Sequence, residues 1–102
     1  MTIRSSDRSP TGKRRMFVNV LGKRWKLRFA ALRLDDGRCD PPDGSAKEIV
    51  VDSKLVGRER LDTLIHEMLH AANWHLDEEF VTRCASDMAK VLWRLGYRPS
   101  EK

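Results

Sequence analysis

The chain has 102 residues, 40% hydrophobic and 34% charged, with a formal net charge of +5. That length supports a single modest core and excludes a two-domain enzyme. No apolar run approaches the eighteen residues of a membrane span, and the Arg- and Ser-rich start lacks the apolar segment of a secretory signal, so a cytoplasmic protein with no membrane partner is expected.

Residues 1–13 carry Ser, Thr, Pro, Gly and basic side chains with almost nothing apolar, the composition of a flexible basic tail. The domain is expected over 14–98, with a short C-terminal tail at 99–102. Met16 to Leu21 is rich in β-formers, Gly22-Lys23 offers a turn, and Arg24 to Leu32 alternates. Trp25, Leu27, Phe29 and Ala31 fall on one side of that second run, and Arg24, Lys26 and Arg28 on the other. The pattern is a hairpin with one buried face. Asp35 to Ala46 reads as a loop through its Asp-Asp-Gly, Asp-Pro-Pro and Asp-Gly-Ser triplets, and Glu48 to Asp52 as a third strand. Of the two cysteines, Cys39 falls in that loop and Cys84 in a later helical pattern; without CxxC spacing both read as unpaired thiols.

From Arg58 to Trp74 the residues Leu61, Leu64, Ile65, Met68, Leu69 and Ala72 repeat with helical spacing. His75-Leu76 makes a tight connection, and Asp77 can cap a second helix whose core stripe is Val81, Cys84, Ala85, Met88, Leu92 and Leu95. Gly96 and Pro99 supply its stop. The fold class is therefore α+β: a small antiparallel or mixed three-stranded sheet packed against a helical hairpin.

The first helix contains His66-Glu67-Met68-Leu69-His70, an HExxH sequence. Residues four apart on a helix differ by about 40° in direction, so both imidazoles can converge on one ion, while Glu67 points roughly a quarter turn away and is free to take a proton from water. His66 and His70 share a stripe with Glu59, Asp62 and Asn73 at the border of the apolar face, ordered by the core yet reachable by solvent. Asp62 and Asn73 are candidates to orient an imidazole.

Catalytic zinc takes three protein ligands and keeps an open position, so two histidines leave a third to find. Glu78, His75, Glu79 and Asp87 are the candidates. With Asp77 as cap, Glu78 lies near the border of the second helix's apolar stripe, whereas Glu79 points almost opposite it. Asp87 has a short side chain on the other flank, and His75 sits in the connection. Acidic residues also favour helix starts for electrostatic reasons alone. Glu78 is the preferred ligand and His75 the alternative.

The segments Thr63 to Ala71, Asp77 to Val81 and Leu92 to Tyr97, with Lys47 to Asp52 upstream, resemble the zincin metallopeptidases, most closely the very small zincin-like proteins of phages and bacteria. The resemblance implies a minimal gluzincin-type fold over residues 14–98, with Lys47 to Asp52 as the edge strand before the active-site helix. It also implies a third ligand in the form of a Glu on the following helix, in agreement with Glu78. No third His stands at metzincin spacing or farther downstream as in SprT-like DNA-repair proteases, and no C-terminal subdomain forms a lower cleft wall.

The expected function is a zinc-dependent metallopeptidase or related hydrolase binding one Zn²⁺ per chain through His66, His70 and Glu78, with Glu67 as general base for a metal-activated water. A peptide or protein substrate would add to the strand edge at Ile49 to Val51, and His75 and Tyr97 are candidate oxyanion donors. A protein partner could complete so shallow a cleft. The rival is a binding module in which the metal only staples two helices together. Charge adds a third possibility, since residues 1–33 hold ten Lys/Arg against Asp7 alone, while residues 34–102 hold ten against fourteen acids. Arg14, Arg15, Lys23, Arg24, Lys26 and Arg28 are candidates for contact with nucleic acid; a solvated strand face explains the same charges.

Overall fold

A computed structural model describes residues 14–98. The expected tails at 1–13 and 99–102 lie outside the described residues. The fold is α+β: strands β1 (Arg14–Val20), β2 (Lys23–Ala30), β3 (Gly37–Cys39) and β4 (Glu48–Asp52), followed by helices α1 (Gly57–Ala72) and α2 (Glu78–Arg94).

The sheet has four strands in the order β1-β2-β4-β3, one more than the sequence pattern predicts. β1 pairs antiparallel with β2, β2 pairs parallel with β4, and β3 pairs antiparallel with β4. The extra strand, Gly-Arg-Cys, lies inside the expected loop and is too short to show alternation. Its presence moves Ile49 to Val51 from the edge to the interior, where both sides are hydrogen-bonded; β3 is the edge strand instead. β4 accordingly reads as a strand buried on both faces, with Ile49, Val50 and Val51 at most 1% exposed.

The β1–β2 hairpin closes on Leu21 and Gly22, not Gly22 and Lys23, since Val20 pairs with Lys23. Both loop residues have positive φ, 49° and 77°, as a two-residue turn matching the strand twist requires. β2 ends at Ala30, so Ala31 leaves the alternation and is exposed.

Trp25, Leu27, Ile49, Val51 and Ala71 form the central cluster, with Phe29, Leu55 and Leu64 against it. α1 lies on the sheet; α2 packs against α1 and against no strand among the described elements. The helical hairpin is therefore stacked outward from the sheet rather than laid side by side on it. The stripe α2 buries is Val81, Ala85 and Ala89, small residues that allow close helix approach. Met88 and Leu95, expected in the core, are exposed. α2 begins on Asp77, whose carboxylate accepts from the Phe80 N–H at 3.0 Å. It ends with Gly96 N–H donating to the Trp93 carbonyl and Tyr97 N–H to the Leu92 carbonyl, a glycine-terminated Schellman stop. No described helix is long and apolar enough to cross a membrane.

Leu21 is mostly exposed in a left-handed conformation that disfavours a γ-branched side chain. Leu21→Asn is expected to stabilise the protein by about 0.5–1 kcal/mol in urea unfolding, with unchanged m-value.

Candidate metal centre

α1 carries His66, Glu67 and His70 in its last two turns, just before the chain turns back, and the Asp77 cap fixes Glu78 as the first residue of α2. Three side chains converge there. His66 Nε2 and His70 Nε2 are 3.2 Å apart, Glu78 Oε2 is 3.1 Å from His66 Nε2, and Glu78 Oε1 is 2.9 Å from His70 Nε2. An ion with bonds of about 2.0–2.1 Å in tetrahedral geometry would hold its ligand atoms about 3.3 Å apart. The observed spacing is a slightly contracted version of that set, so the donors fit a small divalent cation in both chemistry and separation. Both imidazoles are largely buried, and Glu78 approaches from the solvent side.

Glu67 lies on the other flank of the motif, on the sheet-facing stripe of α1 with Ala71, and is 8% exposed. Burial pushes its carboxyl up to about 7, helped by the negative charges of Glu78 and Asp35. A bound cation would draw that value down again. Glu67, His66, Thr63 and Asp62 face Asp35, Asp36 and Gly37 across a cleft of about 440 Å³ that also takes in Leu55 and Glu59. Five of these lining residues are acidic. Asp62 is raised by burial and partly pulled back by His66 and by the Arg58 and Lys90 charges.

β3 forms the other wall, and Gly37 is its closest point. A Cβ on Gly37 would lie 2.8 Å from Thr63 Cγ2 and 3.0 Å from both Glu67 Cγ and Glu67 Oε2. Only a glycine lets the edge strand press this close to the buried carboxylate. The Cys39 thiol, half-buried two residues along, is pushed up to about 12 by burial and then by Glu67 and Asp40. Sequence reading missed both Gly37 and Cys39, having assigned them to a loop; Gly37 between two acids and an Arg gave no signal of a close approach.

The structure brings His66, His70 and Glu78 together and leaves the other candidates elsewhere. His75 is exposed, donates its backbone N–H to Asn73 Oδ1 at 3.1 Å, and lines a separate cleft with Val20, Trp74 and Pro42. It is not among the side chains that converge. Tyr97 follows the C-terminus of α2, whose seventeen residues span about 25 Å from Glu78. That distance removes Tyr97 from the site. Glu79 sits on the surface 3.8 Å from Arg83, Asp87 is exposed, and Asn73 closes the end of α1 with its side chain turned to the His75 amide.

No family model, no curated protein and no solved structure matches the chain.

Replacing Gly37 by Ala forces Thr63 or Glu67 to move and is expected to cost about 1–3 kcal/mol in denaturant unfolding. Thr63→Ser removes the Cγ2 that the new methyl meets first, so Gly37→Ala should cost measurably less in that background. Equal costs in the two backgrounds would show that the Thr63 methyl is not what the new Cβ meets.

Proposed function

We propose that the protein is a zinc-dependent peptidase of the zincin type, with His66, His70 and Glu78 as ligands and Glu67 as general base. The observation that carries this reading is the division of labour on α1. Two imidazoles meet a carboxylate at ligand spacing, while the intervening glutamate is withheld from that cluster and buried against a cleft. A zinc ion held by the three ligands would polarise a carbonyl and make a water acidic enough to lose a proton near neutral pH.

Glu67 accepts that proton and returns it to the departing amine. Burial raises the Glu67 carboxyl and a bound cation would lower it again; the charged form takes the proton and the protonated form returns it. β3, not β4, offers the free strand edge on which an extended peptide can align beside Glu67 and His66. The acidic lining of the cleft favours substrates with Lys or Arg near the cleaved bond over acidic ones.

A metal that serves only as a staple is the second reading. It is favoured by the way α2 packs on α1 alone, since the ligand set ties the start of one helix to the other. Hydrolysis separates the two. Zinc-loaded wild type, incubated with a mixture of basic and acidic peptides, is expected to cleave the basic ones at least about tenfold faster. Glu67→Gln should retain zinc and lose at least about 10²-fold in rate. Absence of cleavage by the wild type, or undiminished cleavage by Glu67→Gln, would overturn the peptidase reading.

A further inference from the structure

Strand pairing assigns the side chains of the sheet to two faces. With Trp25, Leu27, Ile49 and Val51 in the core on the α1 side, the alternating positions point away from both helices. One row across all four strands runs Arg15, Arg28, Val50, Arg38. The next runs Phe17, Lys26, Glu48, and Arg24 follows one step along β2. Five cations share this outer face with two carboxylates: Glu48 is held by Arg28 at 2.6 Å, and Asp52, beside Ala30, is buried and accepts from the Leu32 and Lys54 N–H groups.

Val50 is 1% exposed although no described helix covers it, with Arg28 and Arg38 as its cross-strand neighbours. Phe17 is 54% exposed, and the Arg24 guanidinium lies 4.0 Å from its ring centroid. A large ring held in solvent with a planar cation on it is a platform for another flat group. Of the basic residues that the sequence singles out, Arg15, Arg24, Lys26 and Arg28 belong to this face. Lys23 takes the opposite register and reaches the Pro42 carbonyl at 3.5 Å.

We propose that the outer face of the sheet binds single-stranded nucleic acid, with Arg15, Arg24, Lys26 and Arg38 contacting phosphates and the Phe17–Arg24 pair stacking on a base. Alternate residues of β2 stand about 6.8 Å apart, a spacing comparable to one extended nucleotide. No described element projects from this face to enter a duplex groove, while stacking on Phe17 needs an unpaired base. A lipid surface would need several apolar side chains to bury, and Phe17 stands alone among charges in its part of the face. At the other pole, Asp35, Asp36, Glu59 and Asp62 repel phosphates from the candidate metal centre, so the strand is a tether and not a substrate. The chain leading into β1 adds Arg4, Arg8 and Lys13 against Asp7.

Fluorescence anisotropy of the full chain with labelled single-stranded oligonucleotides of about 20 nucleotides tests this. Binding is expected at about 50 mM salt and should weaken roughly 20- to 50-fold by about 200 mM, the dependence for three or four phosphate contacts. Arg15→Gln/Lys26→Gln should weaken binding at least about tenfold and flatten the salt dependence. Phe17→Ala should weaken it about fivefold or more with the salt dependence unchanged. Arg38→Gln, a single change at the opposite sheet edge, serves if the double variant melts early, and should also flatten the salt dependence. No binding at low salt, equal or tighter binding of the matching duplex, preferential capture by phosphatidylserine vesicles, or indifference to Phe17→Ala would each overturn the proposal.

Discussion

Two imidazole nitrogens and a carboxylate held about 3 Å from one another are the constraint on which the rest of the molecule turns. Two ring nitrogens and the two oxygens of one carboxylate at that separation are stable only if protons or a cation lie between them, because their lone pairs otherwise face each other. The fold is arranged to enforce the approach. The α1–α2 connection is short, and Asp77 caps α2 so that Glu78 takes its first position. Val81, Ala85 and Ala89 then let the helices pack closely enough for the carboxylate to reach both rings.

The same packing explains why Glu67 does not join the ligands. α1 presents two faces at once: one toward the sheet, carrying Glu67 and Ala71, and a border beside α2 where His66 and His70 lie. Residues one apart on a helix diverge by about 100°, so a glutamate between two ligands must turn elsewhere. Here it turns into the wall formed by β3. Burial there, with the Glu78 and Asp35 charges, pushes its carboxyl up to about 7, and Gly37 sets how closely the strand presses on it. Glu67 and the three converging side chains are thus positioned by different neighbours, the sheet edge for one and the second helix for the others.

Sequence reading recovered what rests on local periodicity. The i,i+4 histidines, the Asp77 cap and the strand at Glu48 to Asp52 all appear as expected, because short-range spacing and capping chemistry specify them. It failed where tertiary pairing decides. β3 has three residues and no pattern, yet pairing with β4 makes it a strand and converts the supposed edge into the sheet interior. Met88 and Leu95 have core composition, but α2 lies outside α1 and leaves them in solvent. Tyr97 looked available for catalysis because sequence carries no distance; a straight helix of seventeen residues puts it at the far end. The turn at Leu21 was misplaced by one residue because leucine is a poor match for the left-handed conformation that the hairpin demands.

Charge separates along the same architecture, with acids around the cleft beside α1 and cations on the sheet face turned away from it. Both depend on α1 packing against one face of the sheet. The convergence of His66, His70 and Glu78 is most directly tested by calorimetric titration of the metal-free chain with zinc. About one equivalent should bind to the wild type, and binding should be lost or weakened at least about 10²-fold in both His70→Ala and Glu78→Ala. A wild type that takes up no zinc, or a Glu78→Ala variant that binds it as tightly as the wild type, would contradict this arrangement.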